Sequence, residues 1–371
     1  MSTFITVISS VLVFGFLIFI HEFGHYITAR IFHVTIEEFS IGMGPRLISW
    51  VSKKTGIRYS IAALPIGGFV AMPGENGEYN EGGDADGEDA EDPYREDPNT
   101  FDRKPAWQRF IITAAGATVN ITAGFIAMAI LTCCINIGDT TVKQYHTKES
   151  LSEGYGIEIG VLSSESGLRE GDKVLEVDGK KVRILDELSY EIMRRGYEPI
   201  DITVERDGER VVIENVVFPT QSAEGQVFGI MDFKVARVEK TFGSVISYSW
   251  SKSVLIVRMC WESLFDLLTG RYTFAAVSGP VGISSAIGDA VMQGFTSLLY
   301  ITALISINLG VMNLLPIPAL DGGRLIVLLV EMITKKRLPS KVEGMINGIG
   351  LALLLGLSVI VMIKDVIQLI F

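Results

Sequence analysis

The sequence predicts an α-helical polytopic membrane protein with about four transmembrane helices, a membrane-associated β-hairpin or sheet, and an inserted extracytoplasmic α+β domain. Of the 371 residues, 48% are hydrophobic and the mean hydropathy is +0.37, which is too apolar for an ordinary soluble chain of this size. The apolar residues concentrate in four runs near 4–31, 110–137, 295–315 and 348–363. Each run is close to the length that crosses the hydrocarbon core of a bilayer.

Residues 1–36 are predicted to form transmembrane helix 1, and its apolar run ends in a metal-binding pattern. The run lacks a basic leading segment and a small-residue cleavage site, so it is not read as a cleaved signal peptide. His21 and His25 are four residues apart and share one helix face, where neutral imidazoles can bind one Zn²⁺. Glu22 lies close enough to act as the catalytic general base toward water. The alternative interpretation is that these are tolerated polar residues, but such residues are costly inside a membrane.

Residues 37–74 are predicted to form a membrane-associated β element. Glycines and prolines separate short runs rich in β-branched and aromatic residues, such as 58–63 and 69–72. An element at this position could line the metal site, since exposed backbone at membrane depth is tolerated only inside protein or a wet cavity. Its edge could also take up an unwound peptide by strand addition. An ordinary cytoplasmic hairpin is the alternative.

Residues 75–102 are predicted to be an acidic, flexible cytoplasmic loop. This segment holds about a dozen acidic residues and one arginine, and it accounts for nearly all of the net charge of −11. A solvated linker is the simpler interpretation, and a calcium-binding or regulatory loop is the alternative.

Residues 103–138 are predicted to form transmembrane helix 2, which is followed by a soluble domain over 139–235. In that domain, β-rich runs at 156–161, 173–177, 199–206, 210–218 and 227–230 surround a predicted helix at 184–195. Residues 236–290 are predicted to contain an amphipathic membrane-surface helix and a connector, because Trp250 and Trp261 alternate with charged residues. A kinked additional span is the alternative for this segment.

Residues 291–323 are predicted to form transmembrane helix 3, which ends in a Leu-Asp-Gly-Gly motif. A two-histidine zinc site needs a third protein ligand, and Asp321 is the candidate because it is the only carboxylate near the end of this apolar run. An aspartate here could instead cap a helix. Asn120 and Asn313 are candidates for binding the substrate carbonyl or its oxyanion, with hydrogen bonding between helices as the alternative. Residues 324–371 are predicted to hold a cytoplasmic connector and transmembrane helix 4.

Lysines and arginines predict the orientation in a bacterial cytoplasmic (inner) membrane. They crowd the segments between spans one and two and between spans three and four, which places both segments in the cytoplasm. Both termini and residues 139–235 are then extracytoplasmic. The three cysteines form no C-x-x-C pair and are interpreted as small apolar residues. The lipid bilayer is thus a predicted partner, and a nucleic acid is not.

These motifs together resemble the site-2 protease family of intramembrane zinc metalloproteases (peptidase M50), and most closely its bacterial regulator-of-sigma-E protease group. The resemblance rests on His-Glu-Phe-Gly-His at 21–25, on Asn-Leu-Leu-Pro-Ile-Pro-Ala-Leu-Asp-Gly-Gly at 313–323, and on 101–109 with the following 115–120. Residues 166–179 are similar to a bacterial PDZ domain, and the resemblance implies that residues 139–235 form such a domain. The resemblance covers essentially the whole chain, with one PDZ-like domain where some members carry two.

The resemblance implies that His21, His25 and Asp321 are zinc ligands, that Glu22 is catalytic, and that Asn313 is near the substrate-binding surface. It also implies cleavage of single-pass membrane proteins in or near their transmembrane segment, after an upstream site-1-type protease has cut. Anti-sigma factors and remnant signal peptides are the implied substrates. A catalytically inactive PDZ-containing adaptor or chaperone is the alternative function. A metal transporter fits less well, because no internal repeat is evident.

Overall fold

The computed structural model describes residues 2–75, 94, 96–156, 159–223, 226–271 and 277–370. Most of the predicted acidic loop, residues 76–93 and 95, lies outside the described residues. The chain divides into two compact units, one formed by residues up to 127 together with those from 256 onward, and the other by residues 128–255.

Nine helices of eight residues or more occur within the described ranges. They are α1 (Ser2–Ile31), α2 (Ala106–Cys134), α3 (Lys148–Tyr155), α4 (Leu185–Arg195), α5 (Phe242–Leu268), α6 (Pro280–Gln293), α7 (Phe295–Asn313), α8 (Asp321–Thr334) and α9 (Ser340–Ile370). Four of them are long and apolar enough to cross a membrane, namely the segments Thr3–Ile31, Ala106–Cys134, Phe295–Asn313 and Val342–Ile367. The structure thus has a helix of membrane-spanning length and composition at each of the four predicted spans. The amphipathic α5 is not among the helices that meet these criteria, and its place at the membrane surface stays a prediction.

The predicted β element between the first two spans consists of β1 (Glu38–Val51) and β2 (Arg58–Ala71). Both strands bend, so they pair in three stretches. Residues 38–41 of β1 lie between the two ends of β2, parallel to 58–61 on one side and antiparallel to 68–71 on the other. Gly42 and Gly44 adopt positive φ angles of 89° and 86° at the bend of β1, a conformation that glycine tolerates without steric cost. The stretch 68–71 consequently forms one edge of this sheet.

Two helices beyond the predicted ones, α6 and α8, shape the first unit. Helix α6 begins at Pro280, which suits the first helical position. The backbone amides of Gly279, just before the helix, and of Gly282 in its first turn donate hydrogen bonds to the buried Asp365 of α9. Helix α6 packs on α1 and α7. The sequence predicted only a connector here, since a fourteen-residue helix with small residues carries a weak periodic pattern.

The second unit contains a sheet with the strand order β10-β3-β4-β6-β7, and β5 pairs with β4. The strands are β3 (Gly138–Tyr145), β4 (Lys173–Val177), β5 (Lys180–Lys181), β6 (Ile200–Arg206), β7 (Glu209–Val216), β8 (Thr220–Ala223), β9 (Gln226–Gly229) and β10 (Phe233–Arg237). Helix α4 covers a core that includes Leu188, Ile192, Ile202 and Val204. The predicted helix and four of the five predicted β runs are therefore present. The predicted strand at 156–161 is wrong in its described part, because Gly156 ends α3 in a left-handed conformation and residues 159–161 are irregular.

Candidate metal centre

Two helices that are distant in sequence position the predicted metal ligands. His21 and His25 lie one turn apart on α1, as their spacing predicts. Asp321 is the first residue of α8, whereas the sequence placed it at the end of the third span. Helix α7 stops at Asn313 before a turn that contains Pro316 and Pro318, and α8 then begins in a new direction.

The three candidate ligand atoms are spaced as a tetrahedral zinc ion requires. His21 Nε2 and His25 Nε2 lie 3.3 Å and 3.4 Å from Asp321 Oδ2, and 3.3 Å from each other. Bonds of roughly 2.0–2.1 Å in tetrahedral geometry separate neighbouring ligand atoms by about 3.3–3.4 Å. The buried Asp321 Oδ2 accepts no hydrogen bond from the described residues. The donor set, its spacing and this unsatisfied carboxylate oxygen therefore fit a zinc ion.

Helix α2 packs closely against the two histidines, and glycines make this approach possible. A Cβ atom at Gly116 would lie 2.3 Å from His25 Nε2, and one at Gly24 would lie 2.6 Å from the carbonyl oxygen of Ala115. Both distances are well below van der Waals contact. Gly24, between the two candidate histidine ligands, thus lets α2 approach the site, a role that the motif alone did not reveal.

The turn that leads into Asp321 is fixed by steric constraints. Ala319 adopts a φ of 72°, which is unusual for a residue with a side chain, and its amide donates a hydrogen bond of 3.3 Å to Asn347 Oδ1. A Cβ atom at Gly322 would lie 1.9 Å from the carbonyl oxygen of Leu315. Glycine is therefore required at this position, and the Gly-Gly pair after Asp321 serves the packing of this turn.

A cavity of about 270 Å³ adjoins the three ligands, and Glu22 lines it. The sheet edge at 68–70 forms part of its wall, together with Ile112 and Thr113 of α2. Gly68 lies directly against Glu22, since a Cβ atom there would be 2.9 Å from Glu22 Cγ. The predicted β element and Glu22 therefore line the same cavity beside the candidate metal ligands.

Glu75 and Arg324 also line this cavity and form an ion pair with an Oε1–Nη1 distance of 2.5 Å. The Arg324 guanidinium lies 5.0 Å from the centre of the Phe101 ring. The lining thus includes three carboxylates (Glu22, Glu75 and Asp321) and one guanidinium. Because carboxylates outnumber guanidinium groups, this lining favours a bound cation.

The two candidate asparagines differ in their relation to the site. Asn120 of α2 is fully buried, and its Nδ2 lies 3.3 Å from His21 Nδ1. Asn313 is the last residue of α7 and is not among the residues that line the cavity. The substrate-binding role of each residue stays a prediction.

Glu38 anchors the sheet that borders the site. Its carboxylate accepts hydrogen bonds from Arg46 and from Ser60 Oγ. Burial raises the pKa of Glu38, but the hydrogen bonds from Arg46 and Ser60 outweigh burial and hold the pKa below its ordinary value. The negative charge of Glu38 thus ties β1 to β2 beside the cavity.

Two histidines, an aspartate and an adjacent glutamate, gathered at a membrane-length helix beside a cavity, define the class of protein as a metal-dependent hydrolase of the membrane. Comparison with known proteins gives the family. The chain matches peptidase family M50 over residues 9–357, and it belongs to that family. It is a zinc metalloprotease.

Relatives are similar along nearly their full length. A protein of Clostridium acetobutylicum that carries a zinc metalloprotease name is 33% identical over 372 residues, which cover 98% of both chains. The zinc metalloprotease RasP of Geobacillus kaustophilus is 29% identical, with 97% of both chains covered. The regulator of sigma-W protease RasP of Bacillus subtilis is 28% identical, with 97% of this chain and 98% of the relative covered. These matches favour the enzyme over the inactive adaptor that the sequence left open.

Proposed function

We propose that this zinc metalloprotease cleaves single-pass membrane proteins in or near their transmembrane segment. The observation that carries the proposal is the position of Glu22 and two candidate ligands within a membrane-length helix, next to a sheet edge that lines the same cavity. Intramembrane ionisable residues are expensive and are typical of functional sites. A peptide bond buried in a bilayer is the substrate that needs a hydrolytic site at this depth.

In the proposed mechanism, His21, His25 and Asp321 hold the zinc ion. When bound, zinc acts as a Lewis acid that polarises the scissile carbonyl and makes water a stronger nucleophile. Glu22 takes a proton from the attacking water as the oxygen bonds to the carbonyl carbon. It then delivers that proton to the leaving nitrogen as the C–N bond breaks, which gives a carboxylic acid and an amine. The edge at 68–71 orients the unwound substrate strand by main-chain hydrogen bonds.

The finer features of the function are also proposals. The charge distribution supports cytoplasmic placement of 75–102, with both termini and 139–235 on the opposite side. The resemblance of 166–179 to part of a PDZ domain supports a role for the soluble domain in admitting substrates that an upstream protease has already shortened. Anti-sigma factors fit this substrate class, since one relative is named a regulator of sigma-W protease. Remnant signal peptides fit it as well.

The test compares wild type with the Glu22→Gln variant in detergent. We expect the variant to keep its zinc and to cleave a single-pass reporter roughly 10²–10⁴-fold more slowly, because only the proton-transfer group is lost. Glu37→Gln serves as the matched control, since Glu37 lies outside the cavity lining. Cleavage by Glu22→Gln at the wild-type rate would overturn the mechanism. Equal cleavage of a soluble unfolded protein and of the membrane reporter would overturn the substrate class.

A further inference from the structure

The side-chain amide of Asn120 has one end near a metal-binding histidine and the other end without a partner. Asn120 is fully buried on α2, and its Nδ2 is 3.3 Å from His21 Nδ1. Its Oδ1 is buried and has no hydrogen-bond partner among the described residues. A buried amide oxygen without a donor is costly, on the order of 1–3 kcal/mol, so this arrangement calls for an explanation.

The chemistry of the histidine supplies one. A neutral imidazole carries a single proton, so His21 can bind zinc through Nε2 only when Nδ1 is protonated. The Nδ1–H group then needs an acceptor. His25 already has one, because its Nδ1 lies 2.9 Å from the carbonyl oxygen of Ile112. For His21 the nearby group is the Asn120 amide. Rotating that amide by about 180° brings its oxygen to Nδ1–H and turns its NH₂ group to the position that Oδ1 occupied.

We propose that Asn120 is a positioning residue for the zinc site, whose amide oxygen accepts the Nδ1–H of His21 and fixes the tautomer that presents Nε2 to the metal. This inference rests on the proposed ligand set. It differs from the oxyanion role expected from the sequence, because the amide acts on a ligand and not on the substrate. Helix α2 then supplies the outer partner of both histidines, Ile112 for His25 and Asn120 for His21.

The packing around Asn120 holds the backbone that carries its side-chain amide. Ser306 Oγ of α7 donates a hydrogen bond of 2.7 Å to the backbone carbonyl oxygen of Asn120. Gly124 of α2 and Gly310 of α7 let the two helices approach closely, since a Cβ atom at either would lie 2.5–2.6 Å from an isoleucine side chain. These contacts hold this stretch of α2 against α7, and they fix the backbone from which the Asn120 side chain extends.

The experiment uses three variants of the full-length protein. Asn120→Leu removes the acceptor at similar volume, and Asn120→Asp keeps an acceptor oxygen while it removes the N–H group. Asn308→Leu is the matched control, since it also replaces a membrane-helix asparagine that has a buried, unpartnered Oδ1. The measurements on metal-stripped protein are the affinity for Zn²⁺ in competition with a chelator and the visible absorption spectrum after Co²⁺ loading.

We expect Asn120→Leu to weaken Zn²⁺ binding roughly 10–100-fold, the usual effect of losing an outer partner of a metal-binding histidine, and to change the Co²⁺ spectrum. Asn120→Asp should retain the affinity within a few fold, because a carboxylate accepts the same proton. Asn308→Leu should behave as wild type. If Asn120→Leu leaves affinity and spectrum unchanged while Asn120→Asp reduces only the cleavage rate, the amide acts as an oxyanion donor and the positioning role is wrong.

A fourth variant, Asp321→Asn, separates this inference from the proposed ligand set. If Asp321→Asn binds Zn²⁺ more weakly than wild type while Asn120→Leu binds it equally well, only the inference about Asn120 is overturned. Unchanged affinity in Asp321→Asn overturns the ligand set itself. If Asn120→Leu does not fold, the comparison of Asn120→Asp with wild type decides, and a tenfold or larger loss of Zn²⁺ affinity there contradicts the acceptor role.

Discussion

Gly116→Ala tests whether the close approach of α2 to the candidate metal ligands His21 and His25 governs the site. The added methyl group would lie 2.3 Å from His25 Nε2 and 2.8 Å from His21 Cε1. Ordinary contact requires about 3.5 Å, so the helix or the histidines must shift by about 1 Å. The same stretch of α2 lies close to Gly24 of α1, where a Cβ atom would be 2.6 Å from the carbonyl oxygen of Ala115. Overpacking of this kind costs roughly 1–3 kcal/mol, and a ligand displaced by about 1 Å can lower activity by roughly 10²-fold.

The assay measures zinc content after dialysis against a weak chelator, together with cleavage of a single-pass reporter. Gly15→Ala on α1 is the matched control, because a Cβ atom there meets nothing within 4 Å. We expect loss of zinc and activity in Gly116→Ala and wild-type behaviour in Gly15→Ala. Full zinc occupancy with an unchanged cleavage rate in Gly116→Ala would refute the steric argument, since the helices would then have room that the structure does not show.

Two further predictions concern stability. Because the pKa of Glu38 is held below its ordinary value of 4.5 in the folded protein, its stabilising contribution is present above that value and is lost as pH falls through the lower folded pKa. The thermal denaturation midpoint of the wild type should therefore exceed that of Glu38→Gln near neutral pH, and this difference should shrink as the pH is lowered. A difference in midpoint that does not vary with pH would contradict the assignment. Asp365 accepts from the Gly279 and Gly282 amides at 2.9 Å, so Asp365→Ala should lower unfolding stability by roughly 1–3 kcal/mol. Asp365→Asn should lose less because it keeps an acceptor, and equal losses in the two variants would point to packing instead.

The parts of the fold that follow from local patterns were predictable. The four spans follow from long apolar runs, and α4 follows from an amphipathic period. Helix α8 was missed because the apolar residues after Asp321 read as a continuation of the connector, and the prolines that redirect the chain do not reveal the new helix. The bent pairing of β1 with β2 was only partly predictable, since strand bends depend on partners elsewhere in the sheet.

The sequence by itself determined the chemical identity of this protein: the candidate ligands, the neighbouring glutamate and the membrane-length helices that contain or adjoin them. These features are local, because helical spacing places His21 and His25 on one face. Only the tertiary structure decided how the site is completed. It brought Asp321 within 3.4 Å of both histidines, placed the edge at 68–70 beside Glu22, and set Ile112 and Asn120 behind the imidazoles. Contacts between helices that are distant in the chain depend on the side-chain volumes of both packed helices and on the glycines that let them come close. No single segment of the sequence encodes such a contact.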